Sequence, residues 1–185
     1  MQIQDIVDNP QLFEVVSKWI YTEFYENIRH GISYDEILAD LSSRTKGEIP
    51  ITFVAIENGK CIGTVSLFSN DLKERADLTP WLGSLYVSTV YRNKGVAKQL
   101  MDKVIETSRN LGYEILYLRT EHTSKYYIKL GWKPIYKTID EFGLETGVFM
   151  KVKYCFEVLQ LHVNMPLLTK GDQIPFQPGE LVSFT

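Results

Sequence analysis

Residues 85–97, Leu-Tyr-Val-Ser-Thr-Val-Tyr-Arg-Asn-Lys-Gly-Val-Ala, constrain the fold of this chain more than any other segment. An apolar, strand-like run passes through a short basic turn, containing Arg92, Lys94 and Gly95, into an amphipathic helix. The first turn of a helix has unpaired N–H groups and a partial positive charge, and therefore binds phosphate groups well. The segment predicts a strand, a phosphate-binding turn and a helix, in that order.

The size and composition of the chain are those of a soluble globular protein. Its 185 residues suffice for one domain with a real hydrophobic core, and it is 44% hydrophobic and 23% charged. The formal net charge of -3 argues against nucleic acid as the main partner, because nucleic-acid binding normally requires a basic face.

Targeting, cysteine and metal signals are weak throughout the sequence. No apolar run is long enough to span a bilayer, and residues 1–5 lack the basic and apolar regions of a secretory signal, so we expect a cytoplasmic protein without membrane contact. Cys61 and Cys155 lie far apart in strand-like segments, which favours free thiols over a disulfide. The three histidines are scattered and give no metal-ligand spacing, so no metal is expected.

Capping signals predict two helices near the amino terminus. Asn9 before Pro10 is typical of an N-cap followed by proline at the first helical position, and apolar residues at helical spacing extend the helix to residue 25. Ser33 and Glu36 form a capping-box pattern that predicts a second helix through Leu41.

Six strands are predicted from apolar runs and turn residues. They span residues 51–57, 61–67, 81–87, 114–120, 132–138 and 148–154. Asn58-Gly59 is a hairpin signal between the first two, and residues 69–80 are a polar loop. The helix after the basic turn ends near Gly112 and links two strands, so it predicts a parallel crossover; a short helix is predicted over residues 124–130.

The pattern divides the chain into a domain, residues 1–154, and a carboxyl-terminal extension, residues 155–185. In the extension Leu159, Leu161, Val163 and Met165 alternate with polar residues, which predicts one more strand before a tail containing Gly and Pro. That strand could pair with another subunit, so the sequence suggests a homodimer as a hypothesis.

Motifs on both sides of the basic turn resemble the GCN5-related N-acetyltransferase (GNAT) superfamily. Arg92-x-x-Gly95-x-Ala97 resembles its pyrophosphate loop, Arg/Gln-x-x-Gly-x-Gly/Ala. The flanking motifs are Trp81–Val87 upstream, and Leu116–Leu118 and Tyr126–Trp132 downstream. The resemblance covers roughly residues 50–154, and residues 77–82 resemble one bacterial subgroup. Thr89 stands where proline is common, and Ala97 where glycine is commoner.

The resemblance implies an α/β fold whose mixed central sheet splays open between two parallel strands and is flanked by helices. It implies acetyl-CoA as co-substrate, with the pantetheine arm in the slot between those strands. The residues implied to bind the cofactor are Leu85, Tyr86, Val87, Arg92, Asn93, Lys94, Gly95, Val96, Ala97 and Lys98. The amides from Asn93 to Lys98 would wrap the pyrophosphate, and the Val87 N–H would face the thioester carbonyl and stabilise the oxyanion.

The resemblance also implies that Tyr127 donates a proton to the departing CoA thiolate, whereas Tyr126 is expected in the core; the alternative is that both tyrosines are packing aromatics. A general base is needed because an amine is mostly protonated at neutral pH. Glu121 and His122, just after the fourth predicted strand, are the candidates, against the alternatives that they are loop or capping groups and that backbone carbonyls relay protons through water.

The sequence contains no clear motif for recognition of the amine acceptor. Asp71, Asp77 and Trp81 are candidates for binding a cationic acceptor, although solvated loop acids would look the same. Trp19 lies on the apolar stripe of the first helix and is expected to pack in the core. The resemblance implies N-acetylation of a primary amine, in a small molecule or a peptide, by direct attack.

Two other classes of function compete with this hypothesis. A non-catalytic acyl-CoA-binding or sensing module would keep Arg92 and Gly95 but would not need Tyr127. A generic nucleotide-binding domain is less consistent with the sequence, because neither a Gly-x-x-x-x-Gly-Lys-Ser/Thr loop nor a Gly-x-Gly-x-x-Gly fingerprint occurs.

Overall fold

A computed structural model describes residues 1–26 and 31–152, and the backbone alone of residues 174–175. The α-helices are α1 (Phe13–Phe24), α2 (Tyr34–Ser42), α3 (Val96–Asn110) and α4 (Ser124–Lys129). The strands are β1 (Gln2–Asp5), β2 (Ile51–Glu57), β3 (Lys60–Phe68), β4 (Trp81–Val87), β5 (Ile115–Thr120), β6 (Lys133–Ile139), β7 (Glu145–Val152) and β8 (Ile174–Pro175).

The strands of the described residues form one mixed sheet in the order β1-β2-β3-β4-β5-β7-β6-β8. β4 and β5 are parallel, whereas all the other neighbouring strands in this sheet are paired antiparallel. α3 carries the chain from the end of β4 back to the start of β5, as a parallel pair requires. The predicted mixed sheet and its parallel crossover are confirmed.

Two helical layers cover opposite faces of the sheet. Successive residues of a strand point to opposite faces, and on β2 the side chains of Phe53 and Ala55 join the apolar cluster of α3, whereas that of Val54 joins the cluster of α1 and α2. The α3 cluster also contains Tyr127 of α4. We call the side of the sheet opposite α3 the α1 face, because the functional groups described below divide between the two faces.

The local signals that predicted the elements have the expected physical basis. Ser33 accepts a hydrogen bond from the Glu36 amide at 3.2 Å, and the Glu36 carboxylate accepts one from the Ser33 amide at 2.8 Å, so the capping box is present. Asn9 occupies the predicted N-cap position and Pro10 opens the helical segment, but the Asn9 side chain makes no capping hydrogen bond and its amide group donates instead to Gln4 Oε1 and Asp5 O.

Several predictions fall on residues that the structure does not describe. These are the strand over residues 159–165, the dimer hypothesis that depends on it, and the state of Cys155.

The described residues bear on the remaining predictions about cysteine, membrane contact and metal. Cys61 is a partly buried free thiol, and burial raises its pKa to about 11. No helix among the described residues has the length and apolar character needed to cross a membrane. The described side chains contain no group of three or more His, Cys, Asp or Glu residues placed to hold a metal ion.

Candidate active site

The parallel strands β4 and β5 separate part of the way along their length. They pair at Trp81 with Tyr117 and at Leu82 with Leu118, and no further β4–β5 pair occurs among the described residues. β4 nevertheless continues to Val87, held on its other side by β3. The sheet therefore opens into a slot along residues 83–87, and the splay that the resemblance implied is present.

A β-bulge accompanies the opening. On β3 two residue steps separate Ser66 from Thr64, whereas on β4 three separate their partners, Gly83 and Tyr86. Ser84, inside this interval, has a φ of +50°, the left-handed conformation that side chains other than glycine seldom adopt. A bulge of this kind bends its strand and redirects side chains, so it turns the second half of β4 away from β5.

The backbone of Val87 lies on the edge of β4 that faces the slot. The neighbouring amide, Ser88 N–H, donates to Ile62 O of β3 at 2.9 Å. Because the N–H and C=O of one residue share an edge of a strand and successive residues alternate between the two edges, the Val87 N–H is directed away from β3 and toward the slot. The Val87 carbonyl shares that direction and accepts a hydrogen bond from Arg92 Nε at 2.9 Å. This geometry agrees with the oxyanion role that the resemblance implies for the Val87 N–H.

The basic turn begins α3 with exposed amides. Gly95 occupies the N-cap position with a φ of +79°, and Asn93 has a φ of +61°. Between Asn93 and Gln99, the first amide with a backbone acceptor among the described residues is that of Gln99, which donates to Gly95 O at 3.2 Å. A Cβ on Gly95 would meet no atom within 4 Å. Glycine is therefore needed for the positive φ, and the space above the turn is open.

The two basic side chains of the turn lie near aromatic rings. The Arg92 guanidinium carbon lies 5.7 Å from the centroid of the Tyr86 ring, and Lys94 Nζ lies 5.2 Å from that of Tyr91. Both side chains are exposed. Basic side chains are unfavourable beside the positive end of a helix unless an anion is present, so the turn suits an anionic ligand.

Tyr127 is buried in the same apolar cluster as Val87, the last residue of β4. It is 8% exposed, within the α3 cluster, with its ring centroid 6.2 Å from that of Trp132 and 6.4 Å from that of Phe149. Burial raises the pKa of the Tyr127 phenol to about 12. The phenol therefore keeps its proton at neutral pH and can donate it to a hydrogen-bond acceptor.

The expectation for Tyr126 was wrong. Its side chain is 41% exposed rather than packed in the core. The two tyrosines are consecutive on a six-residue helix, so they point in different directions, and only the second faces the sheet.

Glu121 and His122 follow β5 directly, on the turn that leads into α4. Glu121 is partly buried, and its charge acts on both Tyr127 and Arg119, whereas the side chain of His122 is exposed. Glu121 therefore lies within electrostatic range of the candidate acid. Which of the two residues is the base stays a prediction.

The α1 face of the slot is lined from β4 and from the loop before it. Leu82 belongs to the α3 cluster, so Gly83 points to the opposite face. A Cβ on Gly83 would lie 2.9 Å from Phe68 Cε2 and 3.2 Å from Asp71 Oδ2. The Asp71 carboxylate therefore lies directly above the β4 backbone where the slot begins.

Trp19 contributes to the same face. Its ring is partly buried, and the ring centroid lies 5.1 Å from that of Tyr86 on β4. Trp19 packs beside the α1 and α2 cluster, as the expectation of core packing requires, and it does so against a strand residue of the slot.

Two of the three residues predicted to bind the amine acceptor make other contacts within the protein. The Trp81 side chain is fully buried, and its indole N–H donates to Leu78 O at 2.7 Å, so it supports the core and cannot contact an acceptor. Asp77 is exposed and accepts two hydrogen bonds of 2.7 Å from Arg75, which also lower its pKa. Asp71 is the one of the three that reaches the slot.

Arg119 and Asp140 were not identified in the sequence. Arg119 is the last residue but one of the strand Ile115–Thr120, whose other side chains are apolar or carry a hydroxyl group, and its side chain is 7% exposed. A buried arginine requires acidic partners, and an arginine inside a predicted central strand was the available signal for them. The partners themselves come from two distant loops and could not be found from local sequence.

The family model described as the acetyltransferase (GNAT) family matches residues 14–132. The match spans more than half of the chain, so the protein belongs to the GNAT family of acetyltransferases. This confirms the family resemblance and the enzyme class predicted from the motifs. No curated protein matches the sequence significantly.

Solved structures share the fold at low sequence identity. A crystal structure of aminoglycoside 6'-N-acetyltransferase complexed with coenzyme A is 16% identical, with a TM-score of 0.67 over 85% of this chain and 100% of that chain. A Salmonella typhimurium structure, yncA with its cofactor acetyl-CoA, is 18% identical (TM-score 0.60, 86% and 98%). The ribosomal-protein-alanine N-acetyltransferase of Brucella melitensis is 18% identical (TM-score 0.61, 82% and 99%). At these identities the likeness establishes the fold.

Proposed function

We propose that this protein transfers the acetyl group of acetyl-CoA to a primary amine of a small molecule or peptide by direct attack. One observation supports the proposal above all others. The slot between β4 and β5 ends at the glycine-containing amide turn of α3, so one continuous path can hold a thioester arm and the diphosphate at its end. Family membership supplies the class of reaction.

The residues along this path fit acetyl-CoA. The diphosphate would lie on the amides of residues 93–98 beside Arg92, where the positive helix end and the unpaired N–H groups complement its charge. The pantetheine arm would run along Leu85, Tyr86 and Val87, whose backbone makes no strand pair with β5. The thioester would then lie near the Val87 N–H.

The chemistry requires an unprotonated amine at the thioester carbon. Glu121 or His122, directly or through water, would take the ammonium proton. The amine nitrogen then attacks the carbonyl carbon, and the Val87 N–H stabilises the oxyanion. When the intermediate collapses, the C–S bond breaks, the amide forms, and the CoA thiolate accepts the Tyr127 proton. The second proton that the nitrogen must lose passes through water to the Tyr127 phenolate and restores the phenol. No covalent bond to the enzyme forms, because the amine attacks acetyl-CoA itself.

Direct attack is also supported by the state of Cys61, the one cysteine among the described residues. A nucleophilic cysteine needs a lowered pKa, whereas burial raises the pKa of Cys61 to about 11. Its side chain packs with the α1 and α2 cluster.

Residues 1–154 form the proposed catalytic domain, acting in the cytoplasm, where acetyl-CoA is available. The proposal is tested by calorimetric titration with acetyl-CoA, followed by release of free CoA thiol in the presence of 1,4-diaminobutane, lysine, kanamycin A and an alanine-terminated tetrapeptide. We expect saturable binding and thiol release that depends on at least one amine. Absence of acetyl-CoA binding at millimolar concentration would contradict the proposal.

A further inference from the structure

A buried ion-pair group lies on the α1 face beside the slot. The Arg119 side chain, 7% exposed, places Nη1 3.0 Å from Asp140 Oδ2 and Nε 3.5 Å from Asp71 Oδ2. A third carboxylate, that of Glu141, has its Oε2 3.7 Å from Nη1. Tyr117, two residues earlier on β5, packs against a third apolar cluster that contains Trp81 of β4. Because residues two apart on a strand share a face, Arg119 lies on the same side of the sheet as Gly83.

One end of the group is rigidly held. The Asp140 side chain is fully buried, and its Oδ1 accepts hydrogen bonds from the amides of Phe142 and Leu144 at 3.0 and 2.8 Å. Its Oδ2 accepts the hydrogen bond from Arg119 Nη1. The hairpin between β6 and β7 therefore fixes the guanidinium, and the other edge of that guanidinium is presented to the loop that carries Asp71.

The other end of the group reaches the reacting side of β4. Asp71 Oδ2 lies above Gly83, the first β4 residue beyond the last pair with β5, and the absence of a side chain there leaves room for the carboxylate. The Asp71 side chain is 27% exposed, so solvent and ligands can reach it. It thus faces the opening of the slot on the side opposite α3.

We propose that Arg119 is a positioning residue that holds the Asp71 carboxylate above Gly83, where Asp71 receives the ammonium group of a cationic acceptor. This inference rests on the proposed function and assigns its acceptor side. The ammonium approaches the thioester from the α1 face while the cofactor extends toward α3. Asp71 binds the acceptor, and Arg119 acts only through Asp71.

The charge balance is consistent with an ion-binding role. The Arg119 guanidinium has three carboxylates within 4 Å, so it has one positive charge against three negative charges in this group. Burial lowers the pKa of Arg119, but the surrounding carboxylates raise it above its ordinary value, so the arginine stays charged. A structural ion pair would need only Asp140. An acceptor ammonium beside Asp71 would offset the remaining charge.

Steady-state kinetics on four variants tests the inference, using the most active amine among 1,4-diaminobutane, lysine, kanamycin A and the alanine-terminated tetrapeptide. We expect D71N to raise the KM for the amine about tenfold or more, the loss of a hydrogen bond to a charged group, with the KM for acetyl-CoA within about twofold of wild type. R119Q should act in the same direction, R119K should recover part of the loss, and D77N is the matched control from the same loop.

A double-mutant cycle separates positioning from a merely structural role. We expect D71N/R119Q to be no worse than the more impaired single variant, because Arg119 acts through Asp71. A D71N enzyme with an unchanged amine KM would overturn the inference while leaving the proposed function intact. If the effects of D71N and R119Q on the amine KM multiply in the double variant, the inference is likewise overturned and the proposed function stays intact. Should R119Q fail to fold, D71N and R119K still decide the question. If no amine is acetylated although acetyl-CoA binds, the proposed function itself fails, and the inference with it.

Discussion

Arg92 Nε donates a hydrogen bond to the carbonyl of Val87 at 2.9 Å. This contact joins the last residue of β4 to the basic turn that precedes α3. The N–H and C=O of Val87 are directed to the slot, and the arginine that binds this carbonyl directly precedes the amides of residues 93–98 in the chain. The strand edge implied to bind the thioester and the turn implied to bind the diphosphate are therefore parts of one unit.

Replacing Arg92 should separate binding from stability. We expect R92M to weaken acetyl-CoA binding by about tenfold or more, because it removes both a charge near the diphosphate and the bond to Val87 O. R92K keeps the charge and should bind better than R92M. Since Arg92 is exposed, the free energy of unfolding should change by less than about 1 kcal/mol. Calorimetric titration with acetyl-CoA measures the affinity, and R109M, at the far end of α3, is the control.

Tyr127→Phe should leave cofactor binding intact and slow the reaction. The phenol proton is lost while the buried ring is kept, so we expect kcat to fall by about a hundredfold, the usual size of a general-acid effect, with an unchanged Kd for acetyl-CoA. Tyr126→Phe, on the exposed neighbour, is the matched control and should retain turnover. Unchanged kcat in Y127F would favour the non-catalytic module instead.

Two glycines of similar backbone conformation allow a loss of acetyl-CoA binding at the turn to be distinguished from a loss of stability caused by backbone strain. Gly95 and Gly112 lie near opposite ends of α3 with φ values of +79° and +92°, and a Cβ on either would meet nothing within 4 Å. Alanine at either position should therefore cost a similar 1–2 kcal/mol, roughly the penalty for a left-handed residue. Only G95A should also weaken acetyl-CoA binding, by about tenfold. Chemical denaturation and titration of both variants measure the two effects, and equal affinities would argue against a ligand role for the turn.

Buried tyrosines should make the fold sensitive to alkali. Burial raises the pKa values of both Tyr127 and Tyr136 to about 12. The unfolded chain loses these phenol protons near pH 10, so their contribution to stability is fully present below about pH 10 and is lost as the pH rises toward 12. Urea denaturation from pH 9 to 12 should show a falling free energy of unfolding, and Y127F should reduce the fall by up to about 2.7 kcal/mol. An identical fall in Y127F would contradict a raised pKa at this position.

Local signals predicted most of the fold. The Ser33 capping box, the Asn58-Gly59 hairpin and the span of β4 all follow from neighbouring residues alone, and all are present. β1, Gln2–Asp5, was not predicted, because a four-residue strand with one strongly apolar side chain has too little pattern; it forms by pairing with β2.

The candidate site was only partly predictable, because some of its residues belong to local motifs whereas others are brought together only by the fold. The basic turn and Tyr127 belong to short motifs with a local spacing, and the sequence indicated both. Asp71 and Asp77 look alike in sequence, yet one lies over Gly83 and the other pairs with Arg75, which depends on the path of the whole loop. The link from Arg119 to Asp140 joins positions 21 apart and needs the register of the sheet.

The structure of this protein with acetyl-CoA bound tests the central claim most directly. We predict diphosphate oxygens within about 3.2 Å of amides in the turn of residues 93–98, the pantetheine arm between β4 and β5, and the thioester oxygen at the Val87 N–H. Acetyl-CoA bound elsewhere on the surface, with this slot closed by side chains, would contradict the account.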